Sequence, residues 1–223
     1  MLLAIDTSTR TVGIAIYDGV QVLCETVWCS RDYHTVELAP AIGETLSRAR
    51  VEMADLKLLA VAAGPGSFTG LRIGMALAKG IALARHLPMI GIPTLDIVAE
   101  SQPVSAGLPL VAILQAGRGR LAVGWYSAAS GEWKLSSPIE VLDIIRLTRR
   151  IHEPTLVCGE LNEEERHSLA RKYKNVILAS PAHSIRRPSL LAELAWKRWQ
   201  SGHLDDPATL SPTYLHIGVP IPG

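Results

Sequence analysis

The stretch that most constrains this chain reads "AAGPGSFTGLRIGMALAKGIALA", residues 62–84. A glycine-bearing turn opens a helix in which Gly70, Gly74, Ala78 and Ala82 recur at strict four-residue spacing, and Ala76, Gly80 and Ala84 repeat the pattern. Each interior glycine costs about 1 kcal/mol relative to alanine, so Gly74 and Gly80 together cost roughly 2 kcal/mol. A surface helix gains nothing from that, whereas a helix approached closely by another backbone does. Packing on the chain's own sheet accounts for one small-residue face. A second such face leads to the expectation of a partner contact, bordered by Arg72 and Lys79, which lie seven residues apart on one side.

The same turn fails as a phosphate loop. A Walker A motif needs Gly, four residues, then Gly-Lys-Ser/Thr; neither Gly64 nor Gly66 has a glycine five positions on, and Lys79 lies far down the helix. The dinucleotide fingerprint fails as well, because Gly70 comes one residue late after Gly64-x-Gly66. The turn still opens a helix, whose free N–H groups can hold an anion. Alternatively, Ser67 or Thr69 simply caps that helix. Both readings stay open on the sequence.

Along the chain, "LLAID", "TVGIAIYDG" and "VQVLCETVW" read as three strands, with an Asp-Gly hairpin signal after the second. From His34 to about Arg50 the pattern turns helical, with Leu38, Ile42 and Leu46 at i, i+4 and i+8. A buried-type strand, "LKLLAVAAG", leads into the small-residue helix, and "MIGIP" and "TLDIVAES" follow as strand and helix. After a Pro/Gly-bearing joint at 102–109 the order begins again: three strand candidates, then "EVLDIIRLTRR" as a helix over 140–150, "TLVCG" as a strand, two further helices and a strand between them. A β-β-β-α-β-α order in each half repeats architecture rather than residues. The expected domains are therefore an N-terminal lobe at 1–101 and a C-terminal lobe at 102–223, ending in a flexible tail over 217–223. The expected fold class is α/β, of the two-lobed actin-like ATPase type (ASKHA, ribonuclease H-like), which sets architecture and not activity.

Composition narrows the function classes. Hydrophobic residues make up 48% of the 223, which calls for a well-buried α/β interior or an apolar surface that a partner covers. With 22 basic and 21 acidic residues the net charge is +1, so no overall field draws the chain onto a polyanion. Arg118/Arg120, Arg149/Arg150 and Arg186/Arg187 read as solvated surface. Cys24, Cys29 and Cys158 are odd in number and form no CxxC, which suits a reduced cytoplasmic protein. Asp6 interrupts the first apolar run before signal length, and Gly and Pro break the long uncharged stretches, so no membrane segment is expected.

Five segments carry a resemblance: "LLAIDTST" at 2–9, "HTVELAP" at 34–40, "GPGSFTGLRIGMALAKGIAL" at 64–83, "PMIGIPTLD" at 88–96 and "SPTYLH" at 211–216. They resemble the TsaB (YeaZ-like) family, subunits of the bacterial complex that makes threonylcarbamoyladenosine at position 37 of certain tRNAs. The resemblance covers the whole chain, tightly over the first hundred residues and loosely from about 130 to 205. It implies a non-catalytic subunit that pairs with itself when alone, or with the catalytic subunit TsaD, through N-lobe helices. A TsaE-like ATPase completes the complex, and tRNA is reached only through it. On this chain those helices correspond to the segment after His34 and to the small-residue helix. The implied partner interface is His34, Leu38, Ile42, Gly70, Arg72, Gly74, Ala78, Lys79 and Ala82.

Chemistry expected of the catalytic relatives is missing from the sequence. By resemblance TsaD holds a metal with two histidines four apart on a helix; here the residue four beyond His34 is Leu38, so neither a metal site of that kind nor catalytic residues are expected. Actin-like kinases use an aspartate after the first strand and a Gly-Gly turn in the second lobe. Asp6 with Thr7 fits the first half, but no Gly-Gly pair occurs in the chain. Asp6, Thr7, Ser67 and Thr69 are thus the residues expected nearest any phosphate or nucleotide, with a purely structural, turn-capping Asp6 as the favoured reading. No cofactor is assigned to this chain itself, while the resemblance leaves room for ATP or ADP at the contact with TsaD. The hairpin "QAGRGRLAV" (115–123) departs from the family, with Gln115, Gly117 and Arg120 where Asp, Arg and Glu are common.

Overall fold

The computed structural model describes residues 1–31, 34–105, 107–172 and 174–215, the side chain of His34 excepted. The 217–223 tail lies outside the described residues. Among these residues the strands form two sheets. In the first, β1 (Leu2–Asp6) pairs antiparallel with β2 (Thr11–Tyr17), which pairs antiparallel with β3 (Val22–Cys29). On its other side β1 runs parallel to β4 (Leu58–Gly64), and β4 to β5 (Met89–Pro93), for the order β3-β2-β1-β4-β5. The hairpin after β2 turns on Asp18, whose carboxylate accepts from the amides of Val20 and Gln21, both at 2.7 Å.

Two helices cover one face of this sheet. α1 (His34–Ala49) sends Leu38, Ile42 and Leu46 into a core with Leu3, Ile5, Ile14 and Ile16. α2 (Phe68–Arg85) adds Met75, Ala78 and Ala82 to the same core. Its first turn is capped by the Ser67 hydroxyl, which accepts from the Gly70 amide at 3.2 Å, and it ends at His86 in the left-handed conformation.

The second sheet has the order β11-β10-β6-β7-β8, built from β6 (Leu110–Gln115), β7 (Leu121–Ala129), β8 (Glu132–Leu135), β10 (Thr155–Gly159) and β11 (Val176–Leu178), with β9 (Glu140–Leu142) also on β7. α4 (Ile144–Arg150) and α5 (Glu163–Ala170) cover its outer face, burying Leu147 and Leu169. Residues 140–142 correct the expectation of a helix from 140. Asp143 is extended and its carboxylate accepts from the Arg146 amide at 2.8 Å, so the helix starts only at Ile144. The residues before that cap pair with Leu121, Ala122 and Val123 instead.

α3 (Thr94–Glu100) is held between the sheets. Ile97 packs on the first, and Leu95, Val98 and Ala99 pack on the second. Such a short helix survives because five of its seven residues are buried by packing on both sheets. α6 (Pro188–Gln200) returns to the first sheet, where Leu191, Ala192 and Ala195 pack on Ala4, Ala15, Ala60 and Ile90. The segment after it follows: the Asp205 amide donates to Met89 O at 3.0 Å, and the Thr213 amide to Ala63 O at 2.7 Å. The end of the chain thus crosses back over the expected division at residue 101. No helix among the described residues is long and apolar enough to cross a membrane.

Candidate functional site

The turn after β1 meets the start of α2 at very close range. A Cβ on Gly66 would come closer than 3.0 Å to Ser8 O, one on Gly70 to Thr7 O, and one on Gly74 to the Thr7 hydroxyl. That hydroxyl donates to Gly70 O at 2.7 Å, and the Ser67 amide donates to Ser8 O at 2.6 Å. The four-residue row Gly70, Gly74, Ala78, Ala82 is therefore the inner face of α2. These residues, expected at a partner contact, are buried against the chain's own turn and sheet. Leu38 and Ile42 are buried likewise, since the apolar stripe of α1 faces the first sheet.

Arg72 and Lys79 are also engaged within the chain. The Arg72 guanidinium lies 3.6 Å over the Phe68 ring and its Nε donates to the Tyr214 hydroxyl at 3.0 Å, while Lys79 Nζ reaches Ala208 O at 3.5 Å. Both flank the C-terminal segment rather than an open border. What α1 and α2 leave outward is a different set of side chains. Val36 (69% exposed), Ala39, Pro40 and Gly43 face out on α1, and Ala76, Gly80, Leu83 (79% exposed) and Ala84 face out on α2. Both helices lie on one face of the sheet, so these small and apolar residues share one side of the molecule, with nothing within 4 Å of a Cβ built at Gly43 or Gly80.

Asp6 and Thr7 do not face open space. Asp6 is 2% exposed, and its Oδ1 accepts from the amide and hydroxyl of Ser8 at 2.9 and 2.5 Å. Its Oδ2 accepts from Nε of Arg186 at 2.8 Å. The same guanidinium bonds Glu160, the Thr9 hydroxyl (2.8 Å) and Thr11 O (3.0 Å), and Thr9 donates to Glu160 at 2.7 Å. Burial of Arg186 pulls its pKa down, but the charges of Asp6 and Glu160 outweigh burial and raise it, so it stays protonated. Arg186, read from its Arg-Arg pair as solvated surface, is thus a buried cation tying the first turn to the second lobe. No local signal marks it, because its partners lie up to 180 residues away.

Beside this network a cavity of about 700 Å³ opens between the lobes, lined by Thr9, Ser67, Phe68, Leu114, Glu160 and Tyr214 among others. Of the four residues expected near a nucleotide, only Ser67 lines it. Thr69 is exposed on the first turn of α2. In the 115–123 hairpin, Gln115 donates to Glu160 O at 3.1 Å and to the Glu165 carboxylate at 2.7 Å, so the altered residue makes an internal contact. Among the described residues no three His, Cys, Asp or Glu side chains cluster as metal ligands would.

The family model described as "TsaD: tRNA N6-adenosine threonylcarbamoyltransferase" matches residues 28–172. The tRNA threonylcarbamoyladenosine biosynthesis protein TsaB of Bacillus subtilis (strain 168) is 32% identical over 161 residues, which cover 71% of this chain and 70% of that protein. The Escherichia coli (strain K12) protein of the same name is 39% identical over 99 residues, so the match spans 44% of this chain and 42% of that relative. Two solved structures from Pseudomonas aeruginosa, YeaZ and a protein described as similar to the peptidase YeaZ, superpose with TM-scores of 0.75 and 0.78 over 96% of this chain and 99% of theirs. At 22% and 23% identity they speak to the fold. That fold is the two-lobed actin-like (ASKHA) type, with a further likeness at TM-score 0.52 to the ethanolamine utilization protein EutJ of Carboxydothermus hydrogenoformans.

Proposed function

This chain belongs to the TsaB (YeaZ-like) family of tRNA threonylcarbamoyladenosine biosynthesis proteins, and on that premise we propose that it is a non-catalytic partner subunit. It docks on a TsaD-like threonylcarbamoyltransferase and supports the formation of N6-threonylcarbamoyladenosine at tRNA position 37 in the cytoplasm. A TsaE-like ATPase joins the pair, tRNA is reached through the complex, and the free chain pairs with a second copy by the same face. The observation that carries this reading is the outward side of α1 and α2. Small residues such as Ala39, Gly43, Ala76 and Gly80 let another helix pair approach closely, and Val36 and Leu83 supply apolar contact. Gly80 sits mid-helix with no internal neighbour to justify its cost of about 1 kcal/mol; a close-packed partner would.

The test is light-scattering mass for the chain alone, and mixed with the TsaD-like subunit of the same organism. A dimer that exchanges into a one-to-one complex is expected. Leu83→Glu, at an exposed position, should leave the fold intact and weaken that complex at least about tenfold, or about 1.4 kcal/mol. A monomer that ignores the TsaD-like subunit would sink the proposal.

One observation favours a second reading, an ATP-dependent enzyme acting alone: the cavity between the lobes reaches the N-terminus of α2. Against it stands Arg186, which already neutralises the carboxylate that would face a metal-bound phosphate. Titration with Mg-ATP decides between them. Micromolar binding by the isolated chain supports the enzyme, and silence to millimolar supports the partner subunit. ATP or ADP at the contact with the TsaD-like subunit is compatible with the latter and would appear only in the mixture.

A further inference from the structure

A second cavity, of about 490 Å³, lies on the other side of Pro65, between α3, β8 and α6. This is within the usual range for small-ligand sites. Its lining is largely apolar, with Tyr126, Trp133, Leu135, Ile139 and Leu194 contributing. The charged side chains on it sort into pairs. Lys134 meets Glu132 at 2.6 Å and Lys197 meets Glu100 at 3.4 Å. Arg198 donates to Gly91 O at 2.7 Å and lies 3.8 Å from Asp205.

Asp96 is left over. One carboxylate oxygen accepts from the Tyr126 hydroxyl at 2.7 Å, and no cation among the described residues lies within 4.0 Å of it. Burial, only partly offset by the Tyr126 hydrogen bond and by the more distant charges of Lys134 and Arg198, raises its pKa. A half-buried carboxyl facing an apolar cavity, with a neutral donor on one oxygen and every neighbouring cation already paired, is one positive charge short.

We propose that this cavity binds a small organic cation, an ammonium or guanidinium group on an apolar body. The cationic head donates to the free oxygen of Asp96, while the body lies against Trp133, Leu135, Ile139 and Leu194. Tyr126 keeps the carboxylate oriented by holding its other oxygen. The Glu132–Lys134 and Glu100–Lys197 pairs remain intact, so the site selects for charge through Asp96 alone. The site is independent of the outward face of α1 and α2 and of the cavity beside Arg186.

The test compares phenethylamine with its neutral isostere 2-phenylethanol by calorimetric titration of the full chain. The amine is expected to bind at least about tenfold more tightly, since a charge-assisted hydrogen bond replaces a neutral one. Asp96→Asn keeps an acceptor for Tyr126 and is expected to remove that preference, leaving the two probes equal. Glu44→Gln, at an exposed position on α1 outside the cavity, is expected to leave it unchanged, and unaltered melting temperatures confirm that both variants fold. Equal binding of the two probes to the unaltered chain overturns the proposal. So does the absence of binding by either at about 20 mM, or a preference that survives in Asp96→Asn.

Discussion

Replacing Arg186 by methionine removes the buried cation of that network while keeping most of the side-chain volume. Its guanidinium satisfies four groups: the Asp6 carboxylate, Glu160, the Thr9 hydroxyl and Thr11 O. Glu160 keeps its bond from Thr9, and its side chain is 22% exposed, so water can replace much of what it loses. Asp6 has no such access and retains only the amide and hydroxyl of Ser8. Removing one partner of a buried ion pair costs about 3–5 kcal/mol, because the remaining charge stays desolvated. Against a typical domain stability of about 5–15 kcal/mol, that lowers the melting temperature by about 6–20 °C at about 2–4 °C per kcal/mol. Urea denaturation followed by circular dichroism reads the loss directly. Adding Asp6→Asn to Arg186→Met removes the stranded charge and should recover about 0.5–3 kcal/mol relative to simple additivity. An Arg186→Met protein within about 1 kcal/mol of the parent, or a double variant that recovers nothing, would refute the reasoning.

Gly74→Ala drives a methyl group into the Thr7 hydroxyl; a loss of about 1–3 kcal/mol in chemical denaturation is expected, relieved by adding Thr7→Ala, with the complex's affinity following stability alone. Cys158 is fully buried and its thiol is pushed up to about 12 by that burial, so a disulfide reagent at pH 8 should modify exposed Cys29 in the native chain and reach Cys158 only after unfolding. Burial pushes the Glu25 carboxyl up, but its bonds from Arg187 and from the hydroxyl and amide of Ser189 more than offset that, and its pKa is lowered. A lowered folded value means stability that is present above the ordinary carboxylate range and lost as pH falls through it; the acid-side decline in denaturation midpoint should therefore be shallower in Glu25→Gln.

Much of the molecule could be read from local pattern. The three opening strands, α1, α2 and the repeated order of elements follow from apolar runs and helical periodicity, which depend on near neighbours alone. Where two local signals overlap, the reading failed. Val141 and Leu142 continue into Ile144 and Ile145 with no change of character, and only the cap at Asp143, with pairing to β7, separates strand from helix. The glycine spacing of α2 was a true sign of close approach, but spacing does not name what approaches. The turn at Thr7 and Ser8, which packs on Gly66, Gly70 and Gly74, lies more than fifty residues upstream.

From its own order of residues this protein determined most of its secondary structure, its family and the absence of a phosphate-loop motif, because each of these is written in neighbours along the chain. Only the tertiary structure decided which face of each helix is inward, where the unpaired carboxyl of Asp96 sits, and that Arg186 is a core residue. The physical reason is the same in each case. Burial and charge pairing depend on distance in space: Arg186 looks like a solvated arginine until Asp6, 180 residues away, and Glu160 close around it and replace the water it would otherwise keep.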